Sequence, residues 1–259
     1  YQLAEYRKAT AELQLVHAVN LVHPPHTDAL RDLVAGTLAP AETWETKLTQ
    51  AGQESKSDRE KEVRKAAAWA TLIRERKIGY FALLRNLRNI LEQAPELTSD
   101  ATKLLPDEAL IRRSLVLPFR FRTALDAIES VEVSRFQRQQ VVRALNKAVD
   151  LSLANVPRFK GRTLIAMDCS GSMIGKPMKV GSLFASVLYK VNDADLMLFS
   201  GDARYVTFNA DDGTLSLAQR IEEKAEWSGT NFHSVFQRAN RAYDRVVILS
   251  DMQAWIGTW

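Results

Sequence analysis

The sequence is poor in cysteine, and this scarcity excludes one class of protein at once. Cys169 is the single cysteine among 259 residues, so an intramolecular disulfide cannot form. Small secreted proteins that depend on disulfide bonds are therefore excluded. Glycine and proline are also modest in number, at 11 and 8 residues, which excludes collagen-like and low-complexity chains.

Long apolar runs are missing as well. No stretch approaches the roughly 18 apolar residues that indicate a membrane-spanning helix. The residues after Tyr1 lack the basic and apolar segments of a signal peptide. From these absences we expect a cytoplasmic protein that does not enter a membrane. Because Tyr1 is not an initiator methionine, we also expect the N-terminus to have been cut.

The positive charge of the chain is concentrated in its middle. The net charge is only +4, from 35 basic and 31 acidic residues. Residues 59–93 contain nine Lys or Arg against four Asp or Glu, and residues 101–147 contain nine against five. This distribution predicts a basic surface suited to phosphate groups.

Up to about residue 157, apolar residues recur with helical spacing. The predicted helices cover residues 13–22, 28–38, 43–51, 58–76, 80–93, 106–114, 118–131 and 135–153. We expect Thr43 to cap the third of these helices and Gly52 to end it. Helices of this length with short connections predict stacked helical pairs, an α-solenoid of the HEAT type.

After residue 157 the pattern changes to alternating strands and helices. The predicted strands cover residues 163–167, 195–199, 205–208 and 245–249, and the predicted helices 178–191, 215–225 and 231–243. This alternation predicts a doubly wound α/β domain. We therefore divide the chain into a helical domain, residues 1–157, and an α/β domain, residues 158–259.

Carboxylate and hydroxyl side chains follow the ends of the predicted strands. Asp168, Ser170 and Ser172 follow the first strand. Thr230 precedes a helix, and Asp251 follows the last strand. Ligands of open α/β sheets bind at the carboxyl ends of strands. Two carboxylates and three hydroxyls are hard oxygen ligands, which suit Mg²⁺ or Mn²⁺ and not zinc. The sequence therefore predicts a divalent-metal site with a position open to an outside oxygen.

Other interpretations of this stretch fit the sequence less well. A nucleophile elbow requires glycine at the position of Asp168. A P-loop requires four residues between Gly171 and Gly175, where this chain has three. No histidine lies near Cys169 in the sequence to activate its thiol. One structural alternative stays open, in which the serines only cap the following helix.

The five predicted metal-site residues resemble the metal-ion-dependent adhesion site (MIDAS) of von Willebrand factor A (vWA) domains. The resemblance implies that Ser170, Ser172 and Thr230 approach the ion directly or through water. It implies that Asp168 and Asp251 hold the ion partly through water molecules. It also implies that the ion binds an acidic group of a partner and that the domain catalyses no reaction.

Four motifs of the helical half resemble the TROVE module of Ro proteins. They are Leu-Val-His-Pro at 21–24, Glu-Thr-Trp-Glu at 42–45, Gly-Tyr-Phe-Ala-Leu-Leu-Arg-Asn-Leu-Arg-Asn at 79–89 and Val-Leu-Pro-Phe-Arg-Phe at 116–121. In that family a vWA domain closes a ring of HEAT-like helices. Because the family's ring is longer than 157 residues, we expect a fragment or a reduced homologue.

The resemblance to Ro proteins implies binding of non-coding RNA. Y RNA would lie on the outer basic surface, and the single-stranded 3′ ends of misfolded RNAs would thread the ring. In bacterial members it also implies an exoribonuclease as a partner. DNA is not an expected partner.

A first group of candidate RNA contacts lies on the predicted helix 80–93. Arg85, Arg88 and Asn89 project together, opposite the leucine stripe, with Asn86 at their flank. Cations and hydrogen-bond donors on one face suit phosphate binding. The alternative is that Arg88 only forms an ion pair with Glu92 on a solvated face.

The second group of candidate RNA contacts consists of Arg112, Arg113, Arg120 and Arg122. Phe119 and Phe121 lie among them, and aromatic rings can stack on the bases of a single strand. The helical spacing of Phe121 favours a place in the core instead, and Arg122 has Asp126 as a possible ion-pair partner.

We therefore hypothesise a non-catalytic, Ro-like RNA-binding protein that takes part in RNA quality control. The alternative is a protein-interaction module whose metal site captures an acidic protein partner. A hydrolase that uses Ser170 is a third class, disfavoured because the sequence places no general base beside it.

Overall fold

The structure is a computed structural model that describes residues 15–37, 43–209 and 211–253. The chain divides into two units, residues 1–49 and residues 50–259. The first unit contains helices α1 (Leu15–Val22) and α2 (Asp28–Ala35) and the start of α3 (Trp44–Gln53). Leu13 and Leu38, at the predicted limits of the first two helices, lie outside the described residues.

The C-terminal end of helix α3 differs from the prediction. Thr43 caps the helix as predicted, because its Oγ1 accepts a hydrogen bond from the Thr46 amide at 3.3 Å. Gly52, however, lies inside the helix and does not end it. In the last turn of the helix the carbonyl of Ala51 has a side-chain partner instead, because the Ser55 hydroxyl donates a hydrogen bond to it at 2.6 Å.

The second unit begins with a solenoid of helices. They are α4 (Asp58–Arg74), α5 (Tyr80–Gln93), α6 (Thr98–Leu104), α7 (Glu108–Ser114), α8 (Phe119–Glu129) and α9 (Arg135–Ser152). Helix α5 packs on α4 and α8, while α9 packs on α6, α7 and α8. The sequence predicts all of these helices except α6. The seven residues of α6 are mostly polar, so its apolar period is too short to recognise.

The core of the solenoid is built from one apolar stripe on each helix. Trp69 of α4, Leu87 of α5 and Leu145 of α9 are almost inaccessible to solvent. Phe121 of α8 is also fully buried and meets the Tyr80 ring edge-on, with centroids 6.1 Å apart. The interpretation of Phe121 as a core residue is therefore confirmed.

The described residues after 157 contain a four-stranded sheet. Its strands are β1 (Thr163–Asp168), β2 (Asp195–Phe199), β3 (Ala203–Val206) and β4 (Arg245–Leu249), in the order β3-β2-β1-β4. Strand β1 pairs in parallel with β2 and β4, and β3 runs antiparallel to β2. The third strand was predicted two residues too late in the chain. It ends at Val206 because Phe208 leaves the sheet and packs its ring against Tyr189.

Helices cover both faces of the sheet, as a doubly wound fold requires. They are α10 (Lys176–Asn192), α11 (Thr214–Glu223) and α12 (Phe232–Arg238). Ile165 and Met167 of β1 pack with α10 and α11. Leu164 and Ala166 alternate to the opposite face and pack with α12. The fold is therefore an α-solenoid followed by a vWA-like α/β segment, as predicted, although α12 ends at Arg238 and is shorter than expected.

The solenoid (residues 50–157, here the helical segment) and the α/β segment (residues 158–253) contact each other within the second unit. Asp150 of α9 accepts hydrogen bonds from the amide and hydroxyl of Thr214, at 2.9 and 2.6 Å, at the first residue of α11. Phe119 stacks on Phe184 of α10 with ring centroids 5.6 Å apart. The division of the chain at residue 157 stays a prediction. Among the described helices none is long and apolar enough to cross a membrane.

Candidate metal site and basic surfaces

Strands β1 and β4 end side by side at one edge of the sheet. Asp168 is the last residue of β1, and Asp251 lies two residues beyond the end of β4. Because the two strands are parallel neighbours, their carboxyl ends bring these aspartates to the same edge. The topology therefore supports the placement that the sequence predicts.

Hydrogen bonds join four of the five predicted metal-site residues. The Ser170 amide donates to Asp168 Oδ1 at 2.9 Å, and the Ser170 and Ser172 hydroxyls lie 3.2 Å apart. Ser172 Oγ donates to Asp251 Oδ1 at 3.3 Å. The Ser250 hydroxyl, which the sequence analysis did not use, donates to Asp168 Oδ2 at 2.6 Å. Both carboxylate oxygens of the fully buried Asp168 are thus oriented by neighbours.

The fifth residue, Thr230, lies on a loop that is bonded to the same edge. The Gly171 amide donates to the Ser228 carbonyl at 2.9 Å, and the Asn231 amide donates to the Ser200 carbonyl at 2.7 Å. Thr230 is buried, and its Oγ1 is the one buried side-chain polar atom without a hydrogen-bond partner in the described part of the chain. Because no hydrogen bond occupies this oxygen, it is available as a ligand. A buried hydroxyl without a partner costs about 1–3 kcal/mol, and a ligand would remove that cost.

The chemistry of the donor set favours a hard cation. Within the described residues no group of three or more His, Cys, Asp or Glu side chains could hold a metal ion, so a site of the zinc type is absent there. The oxygen atoms of the five residues instead form the hydroxyl-rich set that suits Mg²⁺ or Mn²⁺. These residues fit the ion that the resemblance to MIDAS sites implies.

The surroundings of Cys169 and Ser170 do not favour either residue as a nucleophile. Burial raises the pKa of the Cys169 thiol to about 12, and the neighbouring Asp168 carboxylate adds to the shift. The thiol is therefore neutral near pH 7 and is shielded from solvent. The Ser170 hydroxyl has the Ser172 hydroxyl as its hydrogen-bond partner, and within the described residues no histidine or carboxylate accepts a hydrogen bond from it directly.

Exposed apolar side chains lie on the loops that bear the predicted metal-site residues. Ile174, Trp227 and Met252 are 62%, 41% and 76% exposed, and each lies on a loop that also bears a metal-site residue. Trp227 and Met252 have left-handed backbones, with φ of 55° and 63°, a conformation that costs about 1–3 kcal/mol. This apolar rim, which consists of Ile174, Trp227 and Met252, is not among the features predicted from the sequence. Its signal in the sequence is the occurrence of large apolar residues in loops at strand ends.

The exposed face of α5 forms the first basic surface. Arg85 and Arg88 are exposed, and Arg88 Nε donates to Glu92 Oε1 at 2.9 Å, so the predicted alternative pairing is present. Arg85 has no ion pair among the described residues. Phe81, one helical turn before Arg85, is 47% exposed and was missed by the sequence analysis. The surface therefore combines one free cation, one paired cation and an aromatic ring.

The asparagines of α5 lie differently from the prediction. Asn89 is half-buried, and its Nδ2 donates to Asn86 Oδ1 at 3.1 Å. Asn86 was expected at the flank of the basic face, but it is buried and donates to the Ala82 carbonyl at 2.9 Å. Its position three residues after Leu83 brings it onto the packed side of the helix.

The second basic cluster divides into separate environments. Arg112 pairs with Glu108 at 2.8 Å, and Arg122 pairs with Asp126 at 3.0 Å. Arg120 lies over the Phe119 ring at 5.5 Å, while Arg113 is exposed without an ion pair in the described chain. Phe121 is in the core and Phe119 stacks on Phe184, so base stacking on these two rings is not supported.

Comparison with known proteins settles the family. The TROVE domain matches residues 34–178, which is more than half of the 259-residue chain. The chain belongs to the TROVE domain family. A solved structure similar to this TROVE protein is the crystal structure of the Deinococcus radiodurans Ro (RSR) protein, with a TM-score of 0.62 and 20% sequence identity.

The similarity to the Deinococcus protein concerns the fold. It covers 98% of the TROVE protein described here and 60% of the Deinococcus chain, so this chain spans about three fifths of that protein's length. A search of curated proteins gave no match.

Proposed function

We propose that this TROVE protein binds non-coding RNA, catalyses no reaction and takes part in RNA quality control in the cytoplasm. The observation that supports the proposal most is the basic face of α5 in a chain of the TROVE family. The proposed ligands are Y RNA and the single-stranded 3′ ends of misfolded RNAs, and an exoribonuclease is the proposed protein partner. These follow from the resemblance to Ro proteins.

The side chains of α5 are suited to a flexible, negatively charged chain. The guanidinium of Arg85 is free to contact a phosphate through two parallel hydrogen bonds. The Arg88–Glu92 pair is exposed, and such pairs contribute only about 0–1 kcal/mol, so a phosphate can replace the carboxylate. Phe81 adds an exposed ring on which a base can stack.

We also propose that Mg²⁺ or Mn²⁺ binds at the edge of the sheet. The residues that would hold it are Asp168, Ser170, Ser172, Thr230 and Asp251. The support is the unpartnered Thr230 hydroxyl together with the oriented carboxylate of Asp168. When bound, the ion supplies a positive centre for an acidic group of a partner. The residues themselves orient the ligand oxygens through the hydrogen bonds at Asp168 and Asp251.

Charge reversal on α5 tests the RNA proposal. The variant Arg85→Glu with Arg88→Glu removes two cations that we expect to contact phosphates. A hairpin RNA with a single-stranded 3′ tail should bind at least about tenfold more weakly, and the slope of log K against log salt should flatten by about two. Fluorescence anisotropy of the labelled RNA over a series of salt concentrations measures both quantities.

The matched control changes the net charge by the same amount elsewhere. Arg59 and Lys61 are exposed in the first turns of α4, where glutamate is compatible with the helix dipole. The variant Arg59→Glu with Lys61→Glu should bind the tailed RNA nearly as well as the unaltered protein. If both double variants lose the same affinity, or neither loses any, the basic face of α5 is not the RNA surface.

A second candidate function is a protein-interaction module, and the apolar rim favours it. Ile174, Trp227 and Met252 offer apolar contact area around an ion that would bind a carboxylate. In this case Asp168→Ala should abolish binding of an acidic protein partner. The protein should then show no affinity for RNA at any salt concentration, which separates this function from the first.

A further inference from the structure

A cleft with a volume of about 700 Å³ lies where the helical and α/β segments meet within the second unit. Three cations from separate parts of the chain line it. Arg112 comes from the last turn of α7, Arg158 from the connection after residue 157, and Lys190 from the last turn of α10. Of these cations only Arg112 is a candidate RNA contact from the sequence, because Arg158 and Lys190 reach the cleft through tertiary packing.

Hydrogen bonds hold the walls of the cleft in place. Asn155 Nδ2 donates to the carbonyls of Ile111 and Val116, at 3.0 and 2.9 Å, at the two sides of the turn that follows α7. This attaches the connection that bears Arg158 to the end of the helix that bears Arg112. On the opposite wall, Lys190 Nζ donates to the Asp212 carbonyl at 2.5 Å. The backbone that leads to Arg158 and the ammonium group of Lys190 are therefore positioned before any ligand arrives, which lowers the entropy cost of binding.

The charges of the cleft are only partly neutralised. No carboxylate is among the described residues that line it. Glu108 pairs with Arg112, but both side chains are more than half exposed, so the pair is weak. Asp150 lies 3.7 Å from the mostly buried Lys190 Nζ and offsets part of its charge. Arg158 is exposed and has no ion pair within the described residues.

We propose that this junction cleft binds the phosphodiester backbone of a single RNA strand. The inference rests on the proposed RNA-binding function and locates a second contact surface for it, distinct from α5. Arginine and lysine are the side chains that bind phosphate oxygens, and positively charged grooves follow the backbone of single strands. The volume lies in the range of about 300–1,000 Å³ that holds ligands of nucleotide size.

A single strand fits the cleft better than a duplex does. A duplex presents its phosphates on the outside of a wide cylinder and meets a flat surface, whereas a recess admits one extended strand. Apolar residues of the cleft, Leu153, Val156 and Val191, provide contact area for sugars and bases beside the cations.

The test is the binding of a fluorescein-labelled oligouridine of about twelve nucleotides, which has no duplex structure, at ~50 mM salt. In the full chain, Arg158→Glu should weaken binding about tenfold and flatten the salt slope by about one. The same substitution should change the affinity for a blunt RNA hairpin less than about threefold. Lys61→Glu is the matched control, because Lys61 is equally exposed and lies on α4.

Each outcome separates the possible failures. If the unaltered protein does not bind oligouridine or the tailed hairpin, the proposed RNA function is wrong. If it binds oligouridine but Arg158→Glu behaves like Lys61→Glu, the cleft proposal is wrong and the RNA function stands. An equal loss for the hairpin would overturn the preference for a single strand. Polyglutamate and unlabelled oligouridine are also compared as competitors of the labelled oligouridine. If polyglutamate displaces it equally well, the cleft is a site for acidic protein, and the RNA assignment is wrong.

Discussion

The predicted metal site and the basic face of α5 are built in opposite ways. At the metal site, Asp168, Ser170 and Thr230 are buried, and hydrogen bonds from the loops at the strand ends orient the Asp168 carboxylate. On α5, Arg85 and Arg88 are exposed, and the ion-pair partner within this face is Glu92, on the same helix. The metal site is buried and hydrogen-bonded, while the basic face of α5 is exposed to solvent.

The difference follows from how each element brings residues together. Parallel strands end at one edge, so Ser172 contacts Asp251 although 79 positions separate them in the chain. A helix surface joins only residues three or four positions apart, so its cations compete with carboxylates of the same helix. The metal site should therefore depend on individual atoms, and the RNA surface on the amount of positive charge.

The largest expected effect comes from removing the central carboxylate. Asp168→Ala should weaken Mn²⁺ binding by about 100-fold or more, because the oriented charged ligand is lost. RNA affinity should stay within about twofold, since phosphate contacts depend on cations elsewhere. Electron paramagnetic resonance of free Mn²⁺ and anisotropy of labelled RNA measure the two affinities.

The control for Asp168→Ala is Asp202→Asn. Asp202 is an exposed carboxylate beyond the end of β2, where it pairs with Arg238. It lies outside the predicted ligand set, so Mn²⁺ binding should be unchanged. If Asp168→Ala lost RNA affinity together with Mn²⁺ affinity, the two sites would be coupled. The proposed independence of the metal site and the RNA surface would then be wrong.

A smaller effect with a distinctive sign is expected for Thr230→Val. Without metal, the variant should be as stable as the unaltered protein or melt about 2–4 °C higher, because an unsatisfied buried hydroxyl is removed. Mn²⁺ affinity should nevertheless fall about tenfold. Thermal melting in EDTA and Mn²⁺ titration check both statements.

Thr230→Ser keeps the hydroxyl and should retain the affinity. Unchanged Mn²⁺ binding in Thr230→Val would remove Thr230 from the ligand set.

The smallest effect concerns the ion pair on α5. Glu92→Gln frees Arg88 from its carboxylate and should strengthen RNA binding about twofold to threefold, with a slightly steeper salt dependence. Glu62→Gln, at an exposed position on α4, is the control for the change in net charge. Anisotropy titrations should show a gain for the first variant only. Equal gains would mean that RNA responds to overall charge and not to this face.

Sequence patterns predicted the parts of the molecule that obey local or topological rules. The limits of α5, β2 and β4 match the prediction, because each has a clear apolar period or a continuous apolar run. The edge that gathers Asp168 and Asp251 was predictable because parallel strands end together.

The remaining features depend on packing between distant segments. Helix α6 has too few apolar residues for a helical period to be recognised in its sequence. The burial of Asn86 depends on how α5 packs against its neighbours. Arg158 and Lys190 converge on the cleft only when the helical and α/β segments pack together. The exposure of Trp227 depends on the loop between α11 and α12, for which the sequence has no periodic signal.

The measurement that tests the central claim most directly is RNA binding by the unaltered chain. A hairpin with a single-stranded 3′ tail and the same hairpin without the tail are titrated at several salt concentrations. We expect the tailed RNA to bind at least about tenfold more tightly, and log K to fall linearly with log salt. Equal affinity for both RNAs, or no binding at ~50 mM salt, would contradict it.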